Sequence, residues 1–143
     1  MPDSELVITR IFDAPRAMVY RAFVDPDQLA QWFGPAGWHV PRETVEIDAR
    51  VGGTQRFTMV NDDDPAMTSP VHATFIEVIE NELLVGEQPV PGAGTMHLRI
   101  EFHDEPDGRT RIVLQQGPYP PDWQDGAREG WGTSFAKLDK LLA

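Results

Sequence analysis

The order of hydrophobic periods predicts an α+β fold. A curved antiparallel sheet of about six to seven strands would wrap around one long C-terminal helix, with two short helices after strand one. Three observations carry this expectation. An alternating segment at the start gives way to two helical ones. From about residue 41 the period becomes two and stays two across a series of turns. From Asp122 to Leu142 the period is helical again.

The first strand is ELVITRIFD, in which Leu6, Ile8 and Phe12 partly alternate with polar neighbours. Asp13-Ala14-Pro15 then reads as a helix start, because proline suits the first helical position. Arg16 to Val24 carries Val19, Ala22 and Phe23 at helical spacing. Asp25-Pro26-Asp27-Gln28 is a second start, with Asp25 as the cap and Gln28 placed to complete a capping box. Leu29, Trp32 and Phe33 form the apolar side of that helix, and Gly34-Pro35 stops it. The two short helices would plug one end of the sheet.

Val45 and Ile47 alternate in the next strand, and DARVGG (48–53) is a turn. The paired glycines Gly52 and Gly53 suit a positive φ or a tight backbone approach. They make a poor phosphate cradle, since no Lys or Ser follows and no helix begins there. Gln55 to Val60 is a strand, NDDDPAMTSP a loop, Val71 to Ile79 a strand, Glu80-Asn81 a turn, and Leu83 to Glu87 a strand. After the loop PVPGAG, Met96, Leu98, Ile100 and Phe102 alternate with His97, Arg99, Glu101 and His103, as in a half-buried antiparallel strand. DEPDG (104–108) is a hairpin turn. In the last strand Ile112, Leu114 and Gln116 share one face, and Arg111, Val113 and Gln115 the other.

The final helix would be about 30 Å long at about 1.5 Å per residue. Ala127, Trp131, Ser134, Leu138 and Leu141 form its stripe, flanked by Phe135 and Leu142. Gly126, Gly130 and Gly132 each weaken it by about 1 kcal/mol relative to Ala, which points to close packing, a bend or an early break.

Composition narrows the function. The 143 residues suit a single domain, 1–143, and the 41% hydrophobic and 24% charged content is that of an ordinary globular protein. A net charge of −11 would repel a phosphate backbone or an anionic membrane, so no nucleic-acid partner is expected. No apolar run reaches the ~18 residues of a membrane span. MPDSELVITR lacks the apolar core of a secretory signal, and the absence of cysteine fits a reducing cytoplasm. Asp62 to Asp64 in NDDD read as a solvated loop, because three adjacent Asp cannot converge on one metal ion without further ligands.

FDAPRAMVYRAFVDPDQLAQWFGP, DARVGG, HATFIEVIENELLV and the GW-plus-leucine pattern of the final helix occur in this order. Together they resemble the SRPBCC superfamily, and within it bacterial proteins related to the activator of heat-shock protein 90 ATPase. The resemblance spans roughly residues 5 to 142. It implies a helix-grip fold, similar to START and birch-pollen-allergen domains, with a cavity between sheet and helix that binds apolar or amphipathic small molecules. It also implies that the end of the second short helix borders the cavity mouth. Trp32, Phe33 and Trp38 would then either close the core or form a ligand rim.

The candidate ligand-binding residues follow from that fold and from strand parity. At the mouth they are Trp32, Phe33 and Trp38. On the sheet they are Phe57, Met59, Ile76, Leu98 and Ile100, continuing to Ile112, Leu114 and Gln116. Trp131 and Phe135 face them from the helix. Many proteins with the resembling pattern carry histidine where this chain has Gln116. Glutamine cannot act as an acid or base, but it donates and accepts hydrogen bonds.

Catalytic patterns are sparse. The histidines, at 39, 72, 97 and 103, have no metal-ligand spacing, so neither a metal nor another cofactor is expected. His97 and His103 belong to a polar face. His72 shares parity with Thr74, Ile76 and Val78, and sits either at a cavity edge or half in solvent. Arg56 and Glu77 face solvent or, if paired inside, form a site. The expected role is therefore a binding domain. The alternatives are a co-chaperone, for which the chain lacks room for the activators' extra N-terminal domain, and a polyketide cyclase or aromatase built on His39, His72, Arg56 and Tyr119. The expected partners are a small ligand or a chaperone, and the chain could be a monomer or pair through an edge strand as a homodimer.

Overall fold

The computed structural model describes residues 5–90, 94–119 and 121–143. Strand β1 (Leu6–Phe12) is followed by helices α1 (Arg16–Val24) and α2 (Pro26–Trp32). Then come β2 (Trp38–His39), a 3-10 turn (Arg42–Thr44), β3 (Glu46–Ile47) and β4 (Thr54–Asn61). Strands β5 (Thr68–Ile79), β6 (Leu83–Val90), β7 (Gly94–Asp104) and β8 (Thr110–Gly117) lead to α3 (Pro121–Leu142). Every strand pairing is antiparallel. The eight-stranded sheet has the order β1-β8-β7-β6-β5-β4-β2, with β3 also on β4. The α+β class, the two short helices and the long terminal helix are as the sequence predicts. The strand total exceeds that expectation because of β2, a two-residue piece that shares one flank of β4 with the short β3.

Local chemistry explains the helix boundaries. The carboxylate of Asp25 accepts from the backbone N–H of Asp27 and Gln28, which caps α2. The other half of the expected capping box is not made among the described residues. The N–H of Asp25 donates instead to the carbonyl of Arg21, so the residue that starts α2 also closes α1. Val19, Ala22, Phe23, Leu29 and Trp32 are buried, and this apolar set fixes both helices on the sheet.

The expected strand at Val45–Ile47 is shorter. Residues 42–44 form the 3-10 turn, and only Glu46 and Ile47 pair with β4. Gly53 explains the turn that follows: a Cβ there would lie 2.1 Å from the Asp48 carbonyl oxygen. Its neighbour Gly52 has φ +84°, the left-handed region. The loop expected at 61–70 is tighter than its composition suggests. The side-chain oxygen of Asn61 accepts from the N–H groups of Asp63 and Asp64, and β5 begins at Thr68. The PVPGAG loop falls partly on residues 91–93, outside those described.

The core lies on the concave face. Phe12, Phe102, Ile112, Leu114, Phe135 and Leu138 are fully or almost fully buried there, beneath α1 and α3. Edge-to-face pairs such as Phe12–Phe135 (5.4 Å between centroids) and Phe23–Trp32 (4.9 Å) fill it with the geometry aromatic rings prefer. Helix α3 is unbroken despite its glycines. A Cβ at Gly130 would make only ordinary van der Waals contact with Pro35, at 3.6 Å, so packing does not require the glycine.

Candidate functional site

The concave face is not filled along its whole length. Between β4–β8 and the first half of α3 lies a pocket of about 380 Å³. It exists because small residues face inward where large ones would close it: Ala73 and Gly86 on the sheet, Ala127 and Gly130 on the helix. Its apolar wall includes Phe23, Leu29, Val71, Phe75, Leu84 and Met96.

Phe33 is the hub of the aromatic lining. It packs edge-on against Phe57 (4.7 Å) and against Trp131 (5.6 Å). The side-chain oxygen of Gln116 accepts a hydrogen bond from the indole N–H of Trp131 at 2.8 Å. This couples the last strand to α3 at the pocket wall and satisfies a donor that burial would otherwise penalise. Tyr119, Gln55 and Gln88 supply further polar groups. Burial pushes the Tyr119 phenol above its ordinary pKa.

Phe33, Phe57, Met59, Leu98 and Ile100 line this pocket, as do Gln116 and Trp131. The other residues singled out from sequence lie elsewhere. Trp32 is fully buried, and its indole N–H donates to the Ala22 carbonyl at 2.8 Å, so it is a core residue. Ile112, Leu114 and Phe135 are likewise sealed in the core, below the pocket floor. Trp38 is half-buried in β2 and does not reach the lining. Ile76 is 42% exposed on the convex face. A register shift between Phe75 and Glu77 reverses the parity there, so Val71, Ala73 and Phe75 face inward instead.

The same shift decides His72, which is exposed on the convex face opposite Arg56. Arg56 pairs with Glu46 at 2.5 Å in solvent, and Glu77 is exposed. His39 is exposed with Asp62 2.5 Å away. Of the four residues that could have built a cyclase centre, Tyr119 alone lies in the lining.

Sequence reading missed the floor and the polar row. The run of small residues Ala73, Gly86, Ala127 and Gly130 was the available signal. It becomes readable only once strand register brings them to one place. It also missed Arg10, which alternates with Ile8 and Phe12 and therefore points inward. Arg10 lies over the Phe12 and Phe135 rings (5.2 and 5.6 Å) and reaches Asp139 of α3 at 2.6 Å.

The sequence profile of the family described as Activator of Hsp90 ATPase homolog 1-like protein matches residues 13–143. The chain belongs to this family. Its fold is that of the SRPBCC superfamily to which such proteins belong. Protein CV1439 from Chromobacterium violaceum superposes with a TM-score of 0.86 at 26% identity, over 99% of this chain and 98% of that one. Protein NE0264 from Nitrosomonas europaea gives 0.84 at 25% identity, over 99% and 96%. An AHSA1 protein from Silicibacter pomeroyi, at 23% identity and a TM-score of 0.78 over 96% of each chain, shares the fold. No curated protein matches the chain. Among the described residues, no helix is long and apolar enough to cross a membrane.

The family fold also explains the segment QWFGPAGW. Trp32 closes the core and Phe33 turns into the pocket. The loop beyond is tied to α3: the Lys137 ammonium donates to the Trp38 carbonyl at 2.9 Å and to the Pro35 carbonyl at 3.4 Å. The Ala36 N–H donates to the Thr133 hydroxyl at 3.0 Å. Three aromatics can occupy so short a stretch because the loop is a clamp between helix and sheet rather than a solvent-facing connection.

Proposed function

We propose that this protein binds a small apolar or amphipathic molecule between the sheet and α3, without chemical conversion. The observation that carries this reading is the unfilled space of about 380 Å³, which falls in the range of small-molecule sites. The pocket opens to solvent, so its apolar walls meet water until a ligand covers them. Aromatic walls and a few fixed polar groups suit an apolar body with one polar end.

Titration with Nile red, an uncharged dye that brightens in apolar surroundings, tests the reading. The wild type should give saturable binding. Ala73→Trp, which fills the floor with an indole, should abolish it while the fold is retained by circular dichroism. Equal binding by the variant would move the dye to the surface and end the reading.

Family membership favours a second reading, in which the chain interacts with a chaperone as the family description implies. It predicts that the purified protein stimulates the ATPase of an Hsp90-type chaperone. In that case Ala73→Trp, which leaves the outer surface unchanged, should stimulate as well as the wild type.

A further inference from the structure

We propose that the pocket selects an uncharged ligand, whose polar end meets a row of glutamine amides, and rejects carboxylates. The inference rests on the binding reading above and adds the ligand's charge and head-group chemistry.

The lining holds no lysine and no arginine among the described residues. The cations nearby lie outside the lining. Lys137 donates to the Pro35 and Trp38 carbonyls, and Arg128 donates to the Val7 carbonyl at 2.9 Å. The Nη2 of Arg10 pairs with Asp139, while its Nη1 is buried without a hydrogen-bond partner among the described residues. Glu87 and His97 border the pocket, but they alternate with the inward residues Gly86, Gln88, Met96 and Leu98, and their side chains pair with each other on the solvent side. An anion entering this space would lose its hydration and meet no lysine or arginine. That combination is strongly unfavourable. The net charge of −11 adds a repulsive field outside.

The pocket does hold neutral hydrogen-bonding groups, and register places them together. Gln88 pairs with Met96, and Gln116 pairs with Leu98 two residues along the same strand. Gln55 pairs with Ala73, which neighbours the Thr74–Glu87 pair. The three amides thus lie in one band across the concave face. The side-chain oxygen of Gln116 is taken by Trp131, which leaves its NH₂ as a donor. Among the described residues, the side chains of Gln55 and Gln88 make no hydrogen bond. Such a band can both donate and accept, which suits a hydroxyl, amide or carbonyl head.

The test is competition against Nile red at about pH 8, where a carboxylic acid is fully ionised. Decanamide, 1-decanol and decanoate share one chain length and differ in the head. The neutral pair should displace the dye at concentrations at least about tenfold below decanoate. Gln88→Lys, which places a cation in the band, should shrink that ratio by about tenfold. Decanoate competing as well as the amide would overturn the charge inference and leave the binding reading intact. So would a ratio unmoved by Gln88→Lys. Failure of Nile red to bind the wild type at all would end both.

Discussion

The indole N–H of Trp131 on α3 and the side-chain oxygen of Gln116 on β8 meet at 2.8 Å, and both residues line the pocket. This contact fixes the helix relative to the sheet where the core is not filled. Gln116→Leu keeps the approximate volume but removes the acceptor, and so leaves a half-buried donor unpaired. The expected cost is about 1 kcal/mol, or a fall in Tm of about 4 °C. Trp131 emission should shift in the same variant, and thermal unfolding followed by fluorescence reads both effects.

Lys137 is the second tether. Burial pushes its ammonium pKa below the ordinary value, against the opposing pull of Asp62. The structure bears that desolvation in order to hold the Pro35 and Trp38 carbonyls. Lys137→Met keeps the aliphatic stem and removes the donors. Global stability should fall by about 1 kcal/mol. The sharper readout is local: amide hydrogen exchange at Ala36 and Trp38 should accelerate more than exchange in β7 or β8. Uniform acceleration would mean that the lysine supports the whole fold rather than the loop.

How far the chain was readable depended on how locally each feature is encoded. The helices at 16–24 and 26–32, the β7 alternation and the face shared by Ile112, Leu114 and Gln116 all follow from period and capping. Parity carried back from Val78 fails at Ile76 and His72, because the bulge between Phe75 and Glu77 gives Val78 the opposite parity to Val71, Ala73 and Phe75, and nothing in TFIEV announces it. Trp32 and Phe33 are adjacent and equally aromatic, yet one is core and the other lining. Their fates are set by the α1 carbonyl that takes the Trp32 indole and by the end of α2. Arg10 shares the inward parity of Ile8 and Phe12. Its inward role depends on Asp139, 129 residues away.

Gly53 offers a test of the backbone argument. The glycine is buried and its N–H donates to the Arg50 carbonyl, closing the turn before β4. A methyl group would fall 2.1 Å from the Asp48 oxygen and 3.0 Å from the Arg50 oxygen. Both are backbone atoms, so the turn itself must open. Gly53→Ala should therefore cost about 2 kcal/mol or more in urea denaturation. Gly52→Ala meets no atom but must hold φ +84°, which costs about 1 kcal/mol. The order of the two variants, with Gly53 the worse, separates close approach from conformational strain.

The two tyrosines give the pH prediction. Burial raises the pKa of Tyr119, and burial together with the nearby Glu80 carboxylate raises that of Tyr20. In the unfolded chain both ionise near the ordinary value of about 10. Above that pH the unfolded state loses phenolic protons that the folded state keeps. Stability from this source is thus fully present below about pH 10 and is lost as pH rises through the folded values. Since the sequence holds two tyrosines, Tyr119→Phe and Tyr20→Phe together should remove the phenolic part of the alkaline loss. Each variant alone should remove its own share. Tyrosinate absorbance should also rise at higher pH in the native protein than in urea. If a bound neutral ligand covers Tyr119, its ionisation should move further upward while that of Tyr20 stays put. A shift confined to Tyr20 would place the ligand outside the pocket.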